Sequence, residues 1–250
     1  MSERGERITR HSVMNTTIAS ITTRGLFGRR RFLLLLPLPV LLVGLAALAT
    51  ALGGSPDQWG QPVIQGLGFG VVLPVLALVV GTGVLGQEID DGTVVHILTK
   101  PLPRREIILA KLAVAVAVTA VTVGVPMLFV GALAGSVRLG FALAVACALG
   151  ALAYCALFLA LSLVTRRPVL IGLLYVLIWE GVLGNLLNGT RILSIEQYVV
   201  AVADRISGSG LLHGTVSLPF ALVMAMAFAV GGTLLAIDRL RSFRVAGETS

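Results

Sequence analysis

The stretch GQEIDDGTVVHILTKPLPRREIILAKL, residues 86–112, carries four of the chain's acidic residues and four of its basic ones in a protein otherwise dominated by Leu, Val, Ala and Gly. It is preceded by an apolar run from Ile64 to Leu85 and followed by another from Ile107 to Leu133. A helix rises about 1.5 Å per residue, so about 20 apolar residues cross the roughly 30 Å of bilayer hydrocarbon. Both flanking runs meet that length. The charged stretch therefore reads as a connector at a membrane surface, held between two spans.

The rest of the chain agrees. Of 250 residues, 56% are hydrophobic and 12% charged, too little polar surface to cover a soluble domain of this size. The expected architecture is an all-α membrane protein with six transmembrane helices, at Phe32–Leu52, Ile64–Leu85, Ile107–Leu133, Leu139–Val164, Val169–Leu187 and Pro219–Ile237. Pro37 and Pro39 are expected to kink the first span at its start, and Pro56–Gln61 reads as a short polar loop. Residues 1–31 form a polar, basic N-terminus in which Val13, Met14, Ile18 and Ile21 recur at helical spacing, the pattern of an amphipathic interfacial helix. Residues 32–237 form the transmembrane domain and residues 238–250 a tail. Gly66 with Gly70, and Gly131 with Gly135, have the spacing that lets membrane helices approach closely.

The net charge of +7 does not point to nucleic acid, because the basic residues sit at the ends of apolar runs rather than in a solvated stripe. Sixteen of the 19 Lys and Arg fall in the N-terminus, the opening stretch, the Arg166–Arg167 turn and the tail. Arg138, Arg191 and Arg205 fall on the other side. The positive-inside rule then puts both termini and residues 86–106 in the cytoplasm, with the membrane being a cell membrane, bacterial in character. The run from Arg29 to Ala51 also has the look of a twin-arginine signal peptide, but its apolar part is longer than the usual 7–15 residues. Cys147 and Cys155 are eight residues apart, about 12 Å of helix rise and too far for a disulfide; they read as packing residues.

The charged stretch divides into parts. Asp90 or Asp91 can cap a helix that begins near Gly92 and Thr93, since a carboxylate accepts the free amides of a first turn and suits the positive end of the dipole. Val94, Val95, Ile97 and Leu98 make an apolar stripe, and Lys100-Pro101 ends it. About two turns of amphipathic helix below the membrane suit a groove on a cytoplasmic partner. A loop that merely obeys the positive-inside rule would explain Arg104 and Arg105, but not Glu88, Asp90, Asp91 or the stripe.

An amphipathic N-terminal helix, six spans and, between the second and third, Glu-x-Asp-Asp-Gly-Thr-x-x-x-x-Leu-x-x-Pro followed by Arg-x-Glu-Ile and a Lys together resemble the permease subunits of type-2 ATP-binding-cassette exporters. The Leu-Ile-Trp-Glu-Gly at 177–181 is similar to that family's fifth span. The resemblance implies that Glu88, Asp90, Asp91, Gly92, Thr93, Val94, Val95, Ile97, Leu98 and Pro101 form the coupling helix that docks on an ATPase. It also implies a homodimer over two ATPase subunits, which would bind the ATP and Mg. No cofactor or metal is expected on this chain, nor enzymatic activity of its own. Independently, a Walker A motif needs Gly-Lys followed by Ser or Thr, whereas Lys100 follows Thr99 and Lys111 follows Ala110.

Glu180 is the one acidic residue well inside a span, about 16 Å along from Val169 by helix rise. A carboxylate there must face protein or a water-filled cavity, as a hydrogen-bonding clamp or as a group lining a path. It is also what a rival reading, a secondary transporter, would use to couple an ion. A haem- or quinone-linked subunit would place His within spans, but His11, His96 and His213 lie outside them; a purely structural anchor is the remaining rival. Between the fifth and sixth spans, residues 188–217 form the longest outer loop. Ser194 and Gln197 have capping-box spacing there, and Ile195, Tyr198, Val199, Val202 and Ile206 make a helical stripe ending at Ser207–Gly210. It reads as an interfacial helix on the outer leaflet or a helix packed on the span tops. The apolar path favours a lipid or hydrophobic drug-like substrate, and Asn188-Gly189-Thr190 is assigned no role.

Overall fold

The computed structural model describes residues 36–90, 104–183 and 193–242. Among them every regular element is helical. The first is α1, Pro37–Ala51; α2, Pro56–Gly60, continues through wide π-type turns at Gln61–Val72 into α3, Leu73–Asp90. Next come α4, Arg104–Leu133, and α5, Val137–Val164. The short α6, Pro168–Leu174, runs into a second π-type segment, Tyr175–Leu183, and the described chain ends with α7, Ile195–Ser207, and α8, Leu218–Ser242.

Four helices are long and apolar enough to cross a membrane, Pro56–Val84, Arg105–Leu133, Val137–Val164 and Leu218–Leu240. Two shorter apolar helices, Pro37–Ala51 and Pro168–Gly181, stand at the places of the first and fifth expected spans. Pro37 and Pro39 lie in the first described turn of α1, and the residues before Leu36, where the expected kink would fall, lie outside the described residues. Pro56 opens α2, where its missing amide hydrogen costs no helical bond, and the segment read as a polar loop is the first turn of the second span.

The bundle is built around α5. Its inner residues are mostly Ala, Gly and Cys, small enough for neighbouring backbones to come close, and it is buried along most of its length against α3, α4, α7 and α8. The close approaches are specific. A Cβ on Gly131 of α4 would fall on the backbone of Gly140 in α5, and one on Gly232 of α8 would lie 2.7 Å from the Ala156 carbonyl oxygen. The two spacings expected from sequence do not work as pairs: Gly66 has nothing within 4 Å of its Cβ position, and Gly135, with φ +85°, forms the turn between α4 and α5. Both cysteines are buried and unpaired, with Thr119 Oγ1 3.4 Å from the Cys155 Sγ.

The helix expected in the outer loop is present, but its course is different. At one end Arg138 Nε donates to the Ile206 carbonyl at 2.9 Å; in the middle Val199 packs at Gly150, whose Cβ would lie 2.7 Å from it. At the other end its first residues reach the level of Tyr154. The helix thus runs antiparallel to α5 over residues 138–154, about 24 Å of rise, and enters the bundle instead of lying across its top. Ile195, Tyr198, Val199 and Val202 are buried as the stripe requires, and so are Gln197, Val200, Ala201 and Ala203, so the helix is enclosed on most sides. Gly208, at φ +57°, caps its C-terminus by donating its amide to Asp204 O at 2.9 Å.

Candidate functional site

Along the helix from Pro168 to Gly181, Gly172, Val176 and Glu180 are the buried residues, spaced by four, while Val169, Leu170, Leu173, Leu177 and Ile178 are exposed. A spacing of four places all three on one narrow stripe. A Cβ on Gly172 would fall on the end of the Leu78 side chain, so the glycine lets this helix approach α3 closely. The stripe delivers Glu180, 2% exposed, to the point where α7 begins.

There the carboxylate collects donors from three helices. Tyr154 of α5 donates its hydroxyl to Oε1 at 3.0 Å, and Tyr175, five residues before Glu180, donates to the same oxygen at 3.3 Å. The backbone amide of Ile195 donates to Oε1 at 3.1 Å, and the Ser194 hydroxyl donates to Oε2. Three of these donors converge on Oε1 and one reaches Oε2. Trp179 adds a further tie, its indole N–H donating to the Leu193 carbonyl at 3.4 Å.

The consequence for α7 is that its N-terminus is capped from outside its own sequence. Ser194 is the N-cap residue but makes no side-chain cap bond to its own helix. Gln197, expected to complete a capping box with it, instead accepts from the Thr215 hydroxyl at 2.9 Å. Glu180 takes over the role, its carboxyl oxygen accepting the first amide of α7 at the positive end of the helix dipole. Rings surround the cluster: Tyr154 stacks on Phe158 at 5.9 Å, and Phe158 meets Tyr175 edge-on at 6.3 Å.

Sequence reasoning singled out Glu180 but missed its partners. One signal was available, since the chain has three tyrosines. Two of them donate to Glu180 and the third, Tyr198, lies one turn into the helix it caps. Lys111, which the sequence offered only as one of the basic residues of the charged stretch, is 2% exposed, and its ammonium group donates to the Val84 carbonyl at 3.1 Å, tying the end of the second span to the third.

The cytoplasmic candidates are only partly described. Helix α3 runs on through Glu88 to Asp90, and Glu106 lies in the first turn of α4. Asp91, Gly92, Thr93, Val94, Val95, Ile97, Leu98 and Pro101 lie outside the described residues, as does the N-terminal amphipathic helix. Among the described residues no group of His, Cys, Asp and Glu has metal-ligand geometry.

A bundle of long apolar helices with a buried, hydrogen-bonded carboxylate between them defines a multi-pass membrane protein. The family model for ABC-2 family transporter protein matches residues 14–202, and the chain belongs to that family. It is accordingly an ABC transporter permease. No curated protein and no solved structure matches it.

Proposed function

We propose that this chain is the membrane-spanning subunit of an ABC exporter, in which two copies sit over two separate ATPase subunits that bind and hydrolyse ATP with Mg. The observation that carries this reading is the extent of the family match, which takes in the charged stretch, Glu180 and most of α7. Six spans follow if α1 is extended by the apolar residues from Phe32, and if Pro168–Gly181 is extended toward Leu187. Both termini and residues 86–106 then face the cytoplasm of a bacterial cell, and Glu88 to Pro101 form the coupling helix.

The geometry at Glu180 favours a clamp over an ion-coupling group. The Tyr154, Tyr175 and Ser194 hydroxyls and the Ile195 amide all direct their hydrogens at the carboxylate, an arrangement that ties three helices together. Its role is to hold the start of α7 at depth, so that the fifth helix, α5 and α7 move together. The apolar character of the bundle favours a lipid or hydrophobic drug-like substrate.

The test is co-expression with an ABC ATPase subunit from the same genome. The pair is expected to copurify, to hydrolyse ATP in proteoliposomes and to transport only when both are present. Transport driven by an ion gradient, from this chain purified without any nucleotide-binding partner, would replace this reading with a secondary transporter.

A further inference from the structure

Lys111 is one of the largest fully buried side chains among the described residues, on the inward face of α4. Ile108, Leu112 and Ala115 flank it on that face, and together with Val80 and Val84 of α3 they belong to the apolar core. The ammonium group crosses to α3 and donates to the Val84 carbonyl at 3.1 Å, joining residues 27 positions apart in the chain. Val84 lies six residues before Asp90, the last residue of α3, and Lys111 lies seven residues after Arg104, the first of α4. The bond therefore sits about 10 Å by helix rise from both helix ends.

An ammonium group is a poor choice if holding two helices together is all that is required. Taking it out of water costs more than the hydrogen bonds made to it commonly return, and an apolar side chain of similar volume is often neutral or stabilising in its place. Methionine would fill the same space without that desolvation. What the ammonium adds is register. Apolar contacts are non-directional, so packed helices can slide past one another in small shear movements. A hydrogen bond from a side chain of one helix to a fixed carbonyl of the other defines a single axial position. Here it does so at the base of the two helices that lead into and out of the charged stretch.

We infer that Lys111 is a positioning residue for transport: it locks α3 and α4 in one register, so that a displacement imposed on the charged stretch reaches both spans as the movement of a single body. The role rests on the reading of this chain as a permease driven by a separate ATPase. Lys111 acts through the two helices rather than by touching ATP or substrate. Thr119, two turns further along α4, extends the same body to α5, its hydroxyl lying 3.4 Å from the Cys155 Sγ.

The experiment has two arms, both on the full chain. In nanodiscs, without any ATPase, spin labels on Gly83→Cys of α3 and Leu109→Cys of α4 report the spacing of the two helices near the lock. Gly83 has nothing within 4 Å of its Cβ and Leu109 is 51% exposed, so both positions accept a label, while the two native cysteines are buried. With Lys111 in place one narrow distance population is expected, and with Lys111→Met a broader or a second one. In proteoliposomes with the ATPase, Lys111→Met is expected to assemble and to hydrolyse ATP, while transport per ATP falls by about fivefold or more, the lower end of coupling between linked sites. If Lys111→Met does not fold, Lys111→Gln, which keeps a donor on a shorter stem, is read in its place. An unchanged distance distribution overturns the register lock. Unchanged transport per ATP overturns the role in transport even if the thermal midpoint falls, because that is the result a purely stabilising lysine gives. Absence of ATP-driven transport in the unaltered pair strikes the exporter reading and the transport role with it, and the label arm then decides whether Lys111 sets the register.

Discussion

The carboxylate of Glu180 accepts the backbone amide of Ile195 at 3.1 Å, so a side chain from the fifth helix caps a helix that starts fifteen residues later. That bond explains why α7 can begin inside the bundle. The first amides of a helix have no intrahelical acceptor, and leaving them bare in an apolar surrounding costs several kcal/mol in all, on the order of 1–3 kcal/mol for each orphaned group. Glu180 offsets part of that penalty by accepting the Ile195 amide, and the Ser194 hydroxyl holds the carboxylate in place.

Replacing the carboxylate should separate clamp from charge. Glu180→Ala orphans the Ile195 amide and the Tyr154 hydroxyl, and is expected to cost roughly 2–5 kcal/mol by that reckoning. At about 2–4 °C per kcal/mol, the thermal midpoint in detergent should fall by on the order of 5–15 °C. Glu180→Gln keeps the size and one good acceptor and should lose less than half as much, with transport per folded molecule retained. Abolished transport in a Gln variant of unchanged stability would make the charge itself functional.

Tyr154→Phe removes one donor but leaves the ring that stacks on Phe158. A loss of about 1.5–3 kcal/mol is expected, the usual worth of a hydrogen bond to a charged group. Because Tyr154 and Glu180 share that bond, the double variant with Glu180→Ala should be non-additive by about 0.5–3 kcal/mol. Chemical denaturation of the four proteins in the cycle measures it; strict additivity would mean the bond contributes nothing.

The glycines should divide sharply by position. Gly131→Ala places a methyl group on the Gly140 backbone and forces α4 away from α5, with an expected cost of roughly 1–3 kcal/mol or more. Gly66→Ala meets open space and should be neutral or stabilising by about 0.5–1 kcal/mol. Thermal midpoints of the two single variants, measured side by side, test the contrast.

For the proposed partner, Val94→Asp combined with Leu98→Asp puts charges into the expected docking stripe, where they cannot be buried cheaply. ATPase copurification should be lost while membrane insertion and the thermal midpoint of the permease stay unchanged. Undiminished ATPase association and substrate-stimulated hydrolysis would remove residues 94–98 from the interface.

The amino-acid sequence alone determined that this chain is an all-helical membrane protein, roughly where its long helices run, and that Glu180 must be sheltered. These follow from local quantities. The transfer of a span into hydrocarbon is a sum over adjacent residues, and the cost of a buried carboxylate depends on its own position. Only the tertiary structure decided who shelters Glu180, since Tyr154 lies 26 residues away in another helix. It also decided that Ile195–Ser207 descends along α5, because an amphipathic stripe looks the same whether its apolar face meets a leaflet or a bundle. Likewise Gly131 and Gly232 touch a neighbour where Gly66 does not. Close contact depends on the rotation and register of two helices, and neither is written in the spacing of glycines along one of them.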